Sequence, residues 1–210
     1  MWTVAILTML VGSVVAITQR DVKRLLAYSS IAQAGYVLTG VVAASAAGLS
    51  SSLFYLAAYG FAVIGAFAVV TLVRDHTGEA ADLSRWAGLG KRSPLLAGVF
   101  AFFLIAFAGI PLTSGFTGKF AVFQAAVSGG ALPLVIVGVL SSAILAFPYV
   151  RVIVLMFFSE PAADGPVVVR PSIFTGLAVA VGAAVTLVLG IVPGPLLGLA
   201  QHAASQLFIR

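Results

Sequence analysis

Long apolar segments alternate with short polar joins along the chain, and this pattern predicts a bundle of membrane-spanning helices. A transmembrane helix needs about 20 mostly apolar residues, a length that these segments reach or approach. We predict six spans, over roughly residues 2–18, 25–44, 51–73, 94–127, 132–158 and 171–192. The expected fold class is therefore all-α, a polytopic transmembrane helix bundle that occupies residues 1–192.

The fourth span contains a break signal, Gly109-Ile110-Pro111. Proline lacks the backbone donor that a helix needs, and its ring clashes with the preceding turn, so we expect the helix to break there. The predicted bundle thus has one discontinuous helix. A second proline, Pro148, lies inside the fifth span, where we expect it to kink the helix and free a carbonyl group.

Residues 193–210 form a separate, amphipathic segment after the sixth span. Polar residues share one predicted helical face and apolar residues the opposite one: Gln201, His202, Ser205 and Gln206 against Leu196, Leu199, Ala203 and Leu207. This arrangement favours a helix lying in the outer membrane interface. His202 is expected to be a solvated surface residue.

The composition is that of an integral membrane protein, with 61% hydrophobic and only 8% charged residues, against about 25% charged in soluble domains. The first segment has no basic residue before its apolar run, so we do not expect a signal peptide. Basic residues mark the first, third and fifth joins: Arg20, Lys23, Arg24, Arg74, Arg85, Lys91, Arg92 and Arg170. Basic joins face the cytoplasm. We predict a multi-pass protein of the cell inner (plasma) membrane, with cytoplasmic basic loops and both termini outside.

Several kinds of site and partner are not expected. The net charge of +5 resides largely in loops that orient the chain in the lipid bilayer, so it does not indicate nucleic acid. The chain has no cysteine, which excludes iron–sulfur clusters, thiolate metal sites and disulfides. The two histidines, His76 and His202, lie in a loop and near the C-terminus. We therefore predict no metal site and no bound redox cofactor in this chain.

Lys119 is the main candidate for chemistry, because it is the one charged residue that we place near the middle of the bilayer. An ionisable group at that depth costs about 2.5–3.5 kcal/mol on insertion scales, and it usually has a function. Transporters place midplane ion sites beside broken helices. Burial favours the neutral form of lysine, so this side chain could lose and regain a proton. The alternative is that Lys119 snorkels to the nearer surface, although the polar turn at 128–130 is about 13 Å away along the helix.

Polar side chains recur at helical spacing in the neighbouring spans. The candidates for a polar path to Lys119 are Ser29, Gln33, Tyr36, Tyr55, Tyr59, Thr117, Ser142, Tyr149 and Arg151. Such groups either hold a file of water molecules or form hydrogen bonds between helices, and the pattern leaves both interpretations open. All six acidic residues lie in loops or at span ends, so a carboxylate that modulates Lys119 must come from another part of the assembly.

Two basic residues near span ends also have two interpretations each. Lys23 is a positive anchor or, alternatively, dips toward the polar face of the second span as a further relay group. Arg151 either snorkels outward or faces a cavity, and we favour the cavity because Pro148 and Tyr149 adjoin it.

Three motifs carry a resemblance to a known family: RDVKRLLAYSSIAQAGY at 20–36, FYLAAYGFAVIGAFAVV at 54–70 and AGIPLTSGFTGKF at 108–120. In this order and at these separations, they closely resemble the antiporter-like membrane subunits of respiratory complex I. The best match within that family is to the subunit N group of bacterial NADH–quinone oxidoreductases. The likeness extends over essentially the whole chain.

The resemblance implies a fold of about fourteen helices with two inverted five-helix repeats, of which this chain resembles helices nine to fourteen. Lys119 matches the proton-carrying lysine of the second broken helix, and Lys23 matches the lysine of the VKR motif. Gln33 stands at a position often occupied by histidine, and glutamine binds water but does not take up a proton. The family's N-terminal half, with its own intramembrane glutamate and lysines, has no counterpart here. The sequence leaves open whether the chain is a fragment, a split-gene product or complete, and in the first two cases we expect the missing half to pack beside it.

The leading functional hypothesis is a proton-translocating subunit in the membrane arm of NADH–quinone oxidoreductase. In such an assembly NADH, FMN, iron–sulfur clusters and quinone are bound by other subunits, and other membrane subunits are the partners. The alternatives are a subunit of a cation/proton antiporter or membrane-bound hydrogenase complex, and a structural half-bundle without its own proton path. The sequence leaves open the coupling mechanism, the stoichiometry and the choice between proton and sodium.

Overall fold

A computed structural model of the chain describes residues 1–76, 78–161 and 165–208. Within these ranges the protein is overwhelmingly helical, as predicted for an all-α membrane bundle. The helices are α1 (Trp2–Thr18), α2 (Val22–Val42), α3 (Ala46–Leu72), α4 (Leu89–Arg92), α5 (Pro94–Ala108), α6 (Ser114–Ser128), α7 (Leu132–Phe158), α8 (Ile173–Ile191) and α9 (Gly194–Phe208).

Helix length qualifies the expected number of spans. In the described part of the chain, four helices are long and apolar enough to cross a membrane alone: α2, α3, α7 and α8. The apolar helices α1 and α5 have 17 and 15 residues, so both are shorter than any of these four helices. The count of six spans therefore remains a prediction, in which α5 and α6 together form one crossing.

The interruption between α5 and α6 has a local cause. Gly109 adopts φ 80°, a left-handed conformation that glycine reaches without steric cost. The amide of Gly109 donates to the carbonyl of Ala106 at 3.0 Å, and that of Ile110 donates to Ile105 at 3.3 Å. This pair of bonds is a Schellman motif, which ends a helix. Pro111 follows, and helix resumes only at Ser114. By contrast, α7 continues through Pro148.

The bundle is held together by apolar side chains and by close backbone approaches. The largest core cluster joins helices α1, α2, α3, α5 and α7 and includes Leu25, Phe100, Phe103, Leu104 and Tyr149. Small residues allow the helices to approach closely. A Cβ atom at Gly12 of α1 would lie 2.6 Å from the Ala32 amide nitrogen of α2.

The joins at the basic end form a small structured cap, although the sequence indicated only loops there. Strand β1 (Val73–Asp75) pairs antiparallel with β2 (Gly78–Glu79) and with β3 (Val167–Val168). In the fifth join, the β-branched valines of β3 suit this pairing with β1. Residues 162–164 of that join lie outside the described residues.

A 3₁₀ helix, Leu83–Trp86, attaches the first join to this cap. The Leu83 amide donates to the carbonyl of Arg20 at 2.7 Å, and the Val22 amide donates to that of Ala81 at 2.8 Å. The indole of Trp86 is fully buried and donates to the carbonyl of Ala80. The three basic joins therefore meet at one end of the bundle, which is the relation that alternating spans require.

The C-terminal helix α9 packs against α3. Ala200 is buried beside Phe54 and Ala58 of α3, and Leu196 and Leu197 pack against the same cluster. Ala204 is also fully buried. Leu199, which belongs to the predicted apolar face, is exposed. Of the predicted apolar face, Leu196 packs on the α3 cluster whereas Leu199 does not, and the short alanines let α9 approach α3 closely.

Candidate functional site

The ammonium group of Lys119 lies inside the bundle, and only 5% of this residue is exposed. Its Nζ donates to the carbonyl of Phe107 at 2.8 Å, to the hydroxyl of Ser142 at 2.9 Å and to the carbonyl of Ala108 at 3.4 Å. The ring of Tyr36 lies below it, with 4.9 Å from Nζ to the ring centroid. The side chain therefore ends in a polar cage and does not snorkel out of the bundle.

The helix break creates this cage. The last carbonyls of a helix have no partner within the helix. The Schellman bonds at Gly109 and Ile110 use the carbonyls of Ala106 and Ile105 and leave those of Phe107 and Ala108 free. These free carbonyls form the negative end of the α5 dipole, where a cation is favoured. Gly109 also leaves room for the lysine, because a Cβ there would lie 3.1 Å from Lys119 Cδ.

A row of hydrogen bonds continues from the cage through α2 to α3. The amide of Gln33 donates to the same Phe107 carbonyl at 3.3 Å. The hydroxyl of Tyr55 donates to the side-chain oxygen of Gln33. Lys119 and three of the predicted path residues, Ser142, Gln33 and Tyr55, thus form one hydrogen-bonded row at the break.

Other predicted residues lie around this row without completing it. The Tyr59 hydroxyl shares a hydrogen bond of 2.7 Å with Ser30, and its ring lies 5.5 Å from that of Phe107. The Ser29 hydroxyl donates to the carbonyl of Leu26 on its own helix. Ser30 was not among the predicted residues, although it shares a helix surface with Gln33.

Four buried hydroxyl groups have no hydrogen-bond partner among the described residues: those of Tyr36, Ser114, Ser141 and Tyr149. Buried polar groups are normally satisfied by protein or by ordered water. Tyr36 and Tyr149 belong to the predicted path, whereas Ser114 and Ser141 were not selected. Their hydroxyls are natural positions for bound water inside the bundle.

Three predicted residues lie away from the cage. Lys23 forms an ion pair with Glu79 of β2, at the basic end. Arg151 is exposed and lies beside Arg20 and Asp82, also at the basic end. Thr117 donates to the carbonyl of Gly190 on α8, at 3.4 Å, and so links α6 to α8.

Among the residues that the structure describes, no carboxylate lies in the cage. Acidic side chains in the described part of the chain lie at the basic end, where some form ion pairs, as in Lys91 with Glu160, and others accept backbone amides. The described residues contain no group of three or more histidine, cysteine, aspartate or glutamate side chains that could hold a metal ion. Chemically, the arrangement can hold an ammonium group, release its proton and accept one back, and its ligands among the described residues are neutral dipoles.

Gln33 bridges the Phe107 carbonyl and the Tyr55 hydroxyl, and this bridge yields a first prediction. Replacing Gln33 by leucine removes the acceptor of the buried Tyr55 hydroxyl, and an unsatisfied buried group costs about 1–3 kcal/mol. We expect lower thermal stability and slower proton transfer. Tyr55→Phe should cost less in the Gln33→Leu background than alone, because the bond is already absent. Gln124→Leu, at an exposed position of α6, is the matched control; additive effects of the two buried substitutions would contradict the bridge.

Comparison with known proteins gives a consistent result. Residues 1–145 match the family model described as NADH:quinone oxidoreductase/Mrp antiporter, transmembrane. The chain is 72% identical to NADH-quinone oxidoreductase subunit N of Rhodococcus opacus over 204 residues, which cover 97% of this chain and 38% of that protein. This chain thus spans about two fifths of the length of that curated relative.

Solved structures give the same fold. The chain superimposes on a chain of respiratory complex I from Thermus thermophilus with a TM-score of 0.79 and 29% identity, covering 94% of this chain and 44% of that one. It also superimposes on a chain of the Mrp complex from Dietzia, with a TM-score of 0.83 and 26% identity, covering 99% and 47%. The resemblance inferred from the three motifs is therefore confirmed.

Proposed function

Because the chain belongs to the NADH:quinone oxidoreductase/Mrp antiporter transmembrane family, we propose that it carries a proton-conducting site of a complex I membrane-arm subunit. The observation that carries this proposal is the buried Lys119 ammonium group, held by the carbonyls of Phe107 and Ala108. The 72% identity to subunit N supports this assignment.

Lys119 is the group that takes up and releases the proton. In its charged form it is held by the helix-end carbonyls, Ser142 and the face of Tyr36. Loss of its proton weakens each of these contacts, because hydrogen bonds from charged donors are about twice as strong as neutral ones. Water molecules at the unpaired hydroxyls, together with the Gln33–Tyr55 row, would pass protons to and from it. Lys23 and Arg151 act at the basic surface and not in the cage.

The bundle spans the plasma membrane six times, with α5 and α6 together forming the fourth crossing. The basic cap faces the cytoplasm, as the excess of arginine and lysine favours. Both termini and α9 then lie on the outer side. The amphipathic segment at 193–210 contacts α3 through its alanines and the interface through its exposed leucines.

The assembly supplies what the chain does not hold. A counterpart of the family's N-terminal half packs beside it, and other complex I membrane subunits continue the arm. NADH, FMN, iron–sulfur clusters and quinone are bound on other subunits, where redox chemistry occurs. A carboxylate that modulates Lys119 comes from one of these neighbours.

An ion-exchanging antiporter subunit is the second candidate, and the superposition on the Dietzia Mrp chain favours it. On this alternative, the same cage serves exchange driven by a cation gradient. The third candidate, a structural half-bundle, has no observation of its own beyond the dense packing of the cores.

Purification of the assembly from native membranes, followed by reconstitution in sealed vesicles, tests the proposal. We expect NADH oxidation by quinone to drive proton translocation without any sodium requirement. The co-purified partners should include NADH-oxidising subunits. Sodium-driven proton movement in the absence of quinone would instead identify the antiporter, and co-purification without either activity would favour the structural role.

A further inference from the structure

Arg151 stands in an apolar surface stripe of α7. Its neighbours at helical spacing on that surface are all exposed: Phe147, Val150, Val154 and Phe158. In a membrane such a stripe faces acyl chains or another protein. A guanidinium group in the middle of it needs an anionic partner or water.

The depth of Arg151 follows from the length of α7. The helix has 27 residues and is therefore about 40 Å long, whereas the hydrocarbon core is about 30 Å thick. A centred helix projects about 5 Å at each end. Arg151 precedes the last residue of α7 by about 10 Å along the axis, so its backbone lies just below the headgroup level and its long side chain reaches that level.

A pocket of about 370 Å³ opens at this position, lined by Arg20, Asp82, Leu83, Ser84, Arg151 and Leu155. Two guanidinium groups therefore meet one carboxylate. Asp82 is already engaged, because its carboxylate accepts the Ser84 amide at 2.8 Å and caps the 3₁₀ helix. Hydrogen bonds from Ser84 hold the pKa of Asp82 below its ordinary value, so this group remains a capped anion at neutral pH.

Neither Arg20 nor Arg151 forms an ion pair with another residue in the described ranges. The walls of the pocket are fixed by backbone bonds. The Leu83 amide donates to the Arg20 carbonyl at 2.7 Å, and the Gly88 amide donates to the Leu155 carbonyl at 3.1 Å. The pocket is thus preformed, with an excess of positive charge on its polar side and an apolar stripe leading away from it.

We propose that this pocket binds the phosphate headgroup of an anionic phospholipid, whose acyl chains lie along the exposed stripe of α7. Guanidinium groups match phosphate oxygens in bidentate geometry. Basic pockets at the cytoplasmic side of transmembrane helices suit such headgroups. The continuous apolar stripe selects a lipid over a free phosphate ion. The proposal depends on the membrane position of α7 and on no step of proton transfer at Lys119.

Photo-crosslinking in the intact assembly provides the test. The complex is incorporated into nanodiscs containing photoactivatable phosphatidylglycerol in a phosphatidylcholine background, and labelled peptides are mapped. We expect labelling within residues 147–158, which phosphatidylcholine of the same chain length does not give. The double variant Arg20→Gln/Arg151→Gln should weaken phosphatidylglycerol binding by about 25-fold, since each basic residue near the surface contributes about fivefold.

The matched control is Arg24→Gln/Arg170→Gln, which removes two charges from the same end of the bundle but from outside the pocket. It should weaken binding less than the pocket variant does, because these two charges do not line the pocket and exposed charges at a distance are screened by salt. Arg151→Lys, which keeps the charge but not the planar fork, should fall between the wild type and the double variant. If the double variant does not assemble, the wild-type labelling map alone decides the question.

Three results would overturn the proposal. One is phosphatidylglycerol labelling that avoids residues 147–158. Another is displacement of the lipid label by millimolar inorganic phosphate, which would indicate a free-anion site. The third is rescue of Arg151→Glu by a charge-reversing substitution in a neighbouring subunit, because Arg151 would then pair with a protein carboxylate.

Discussion

Replacing Lys119 by alanine is expected to lower proton translocation through this bundle by about two orders of magnitude while the assembly stays intact. The alanine leaves no group at the break that can carry a proton. A charge would then cross this depth without its cage, at a cost of about 2.5–3.5 kcal/mol, and each 1.4 kcal/mol is a factor of about ten in rate. The measurement is the initial rate of NADH-driven proton uptake by reconstituted vesicles, normalised to quinone reduction.

Two further substitutions separate the roles that Lys119 could have. Lys119→Arg keeps a positive charge for pairing but does not release its proton under physiological conditions. A relay role predicts loss of translocation in Lys119→Arg, whereas a purely structural charge predicts that activity persists. Lys91→Ala is the matched control, because Lys91 pairs with Glu160 at the surface of the cap. Near-normal translocation by Lys119→Met would contradict the role of Lys119 in proton transfer.

Gly115→Ala is expected to lower the free energy of unfolding by about 1–3 kcal/mol, the usual cost of overpacking. Gly115 lies in the first turn of α6, where a Cβ atom would overlap the carbonyl group of Ala106 in α5. The clash is with backbone, so neither side can yield by rotating a side chain. Relief requires α6 to move away from α5, which carries Lys119 away from the Phe107 carbonyl. Thermal unfolding of the purified assembly and its translocation rate should both fall.

Replacing Gly98 by alanine should instead stabilise the protein. Gly98 lies within α5, and a Cβ there meets nothing within 4 Å. Alanine in a helix interior is more stable than glycine by about 0.5–1 kcal/mol, so Gly98→Ala should raise the unfolding temperature slightly and leave translocation unchanged. Equal effects of the two substitutions would show that helix propensity, and not contact with α5, governs this region.

Much of the architecture was predictable, because the membrane demands long apolar helices and leaves a clear pattern. The break at Gly109 and Pro111 could be read directly, since proline cannot continue a helix. The convergence of Gln33 and Lys119 on one carbonyl could not be read. Every residue type carries a backbone carbonyl, so the sequence does not show which one accepts these bonds. The Phe107 carbonyl is available only because the Schellman bonds use the carbonyls of Ile105 and Ala106.

The small sheet of the cap could not be predicted from the sequence. Strands of two and three residues, such as β2 and β1, carry too few positions for a periodic pattern, and their partners are distant in the chain. Lys23 pairs with Glu79 of that cap, whereas Arg151 of α7 lines a pocket beside Asp82. Side-chain chemistry alone could not indicate that either residue faces away from the lysine cage.

The backbone bonds that join the three basic joins make the two ends of the bundle mechanically unequal. At the opposite end, around 43–50 and 128–131, every backbone bond of the described joins is local in sequence. When the helices tilt, their ends at the cap should therefore move little and their opposite ends should move most. Hydrogen–deuterium exchange should be faster in the joins there, and any gating motion that admits solvent to the interior should open from that side.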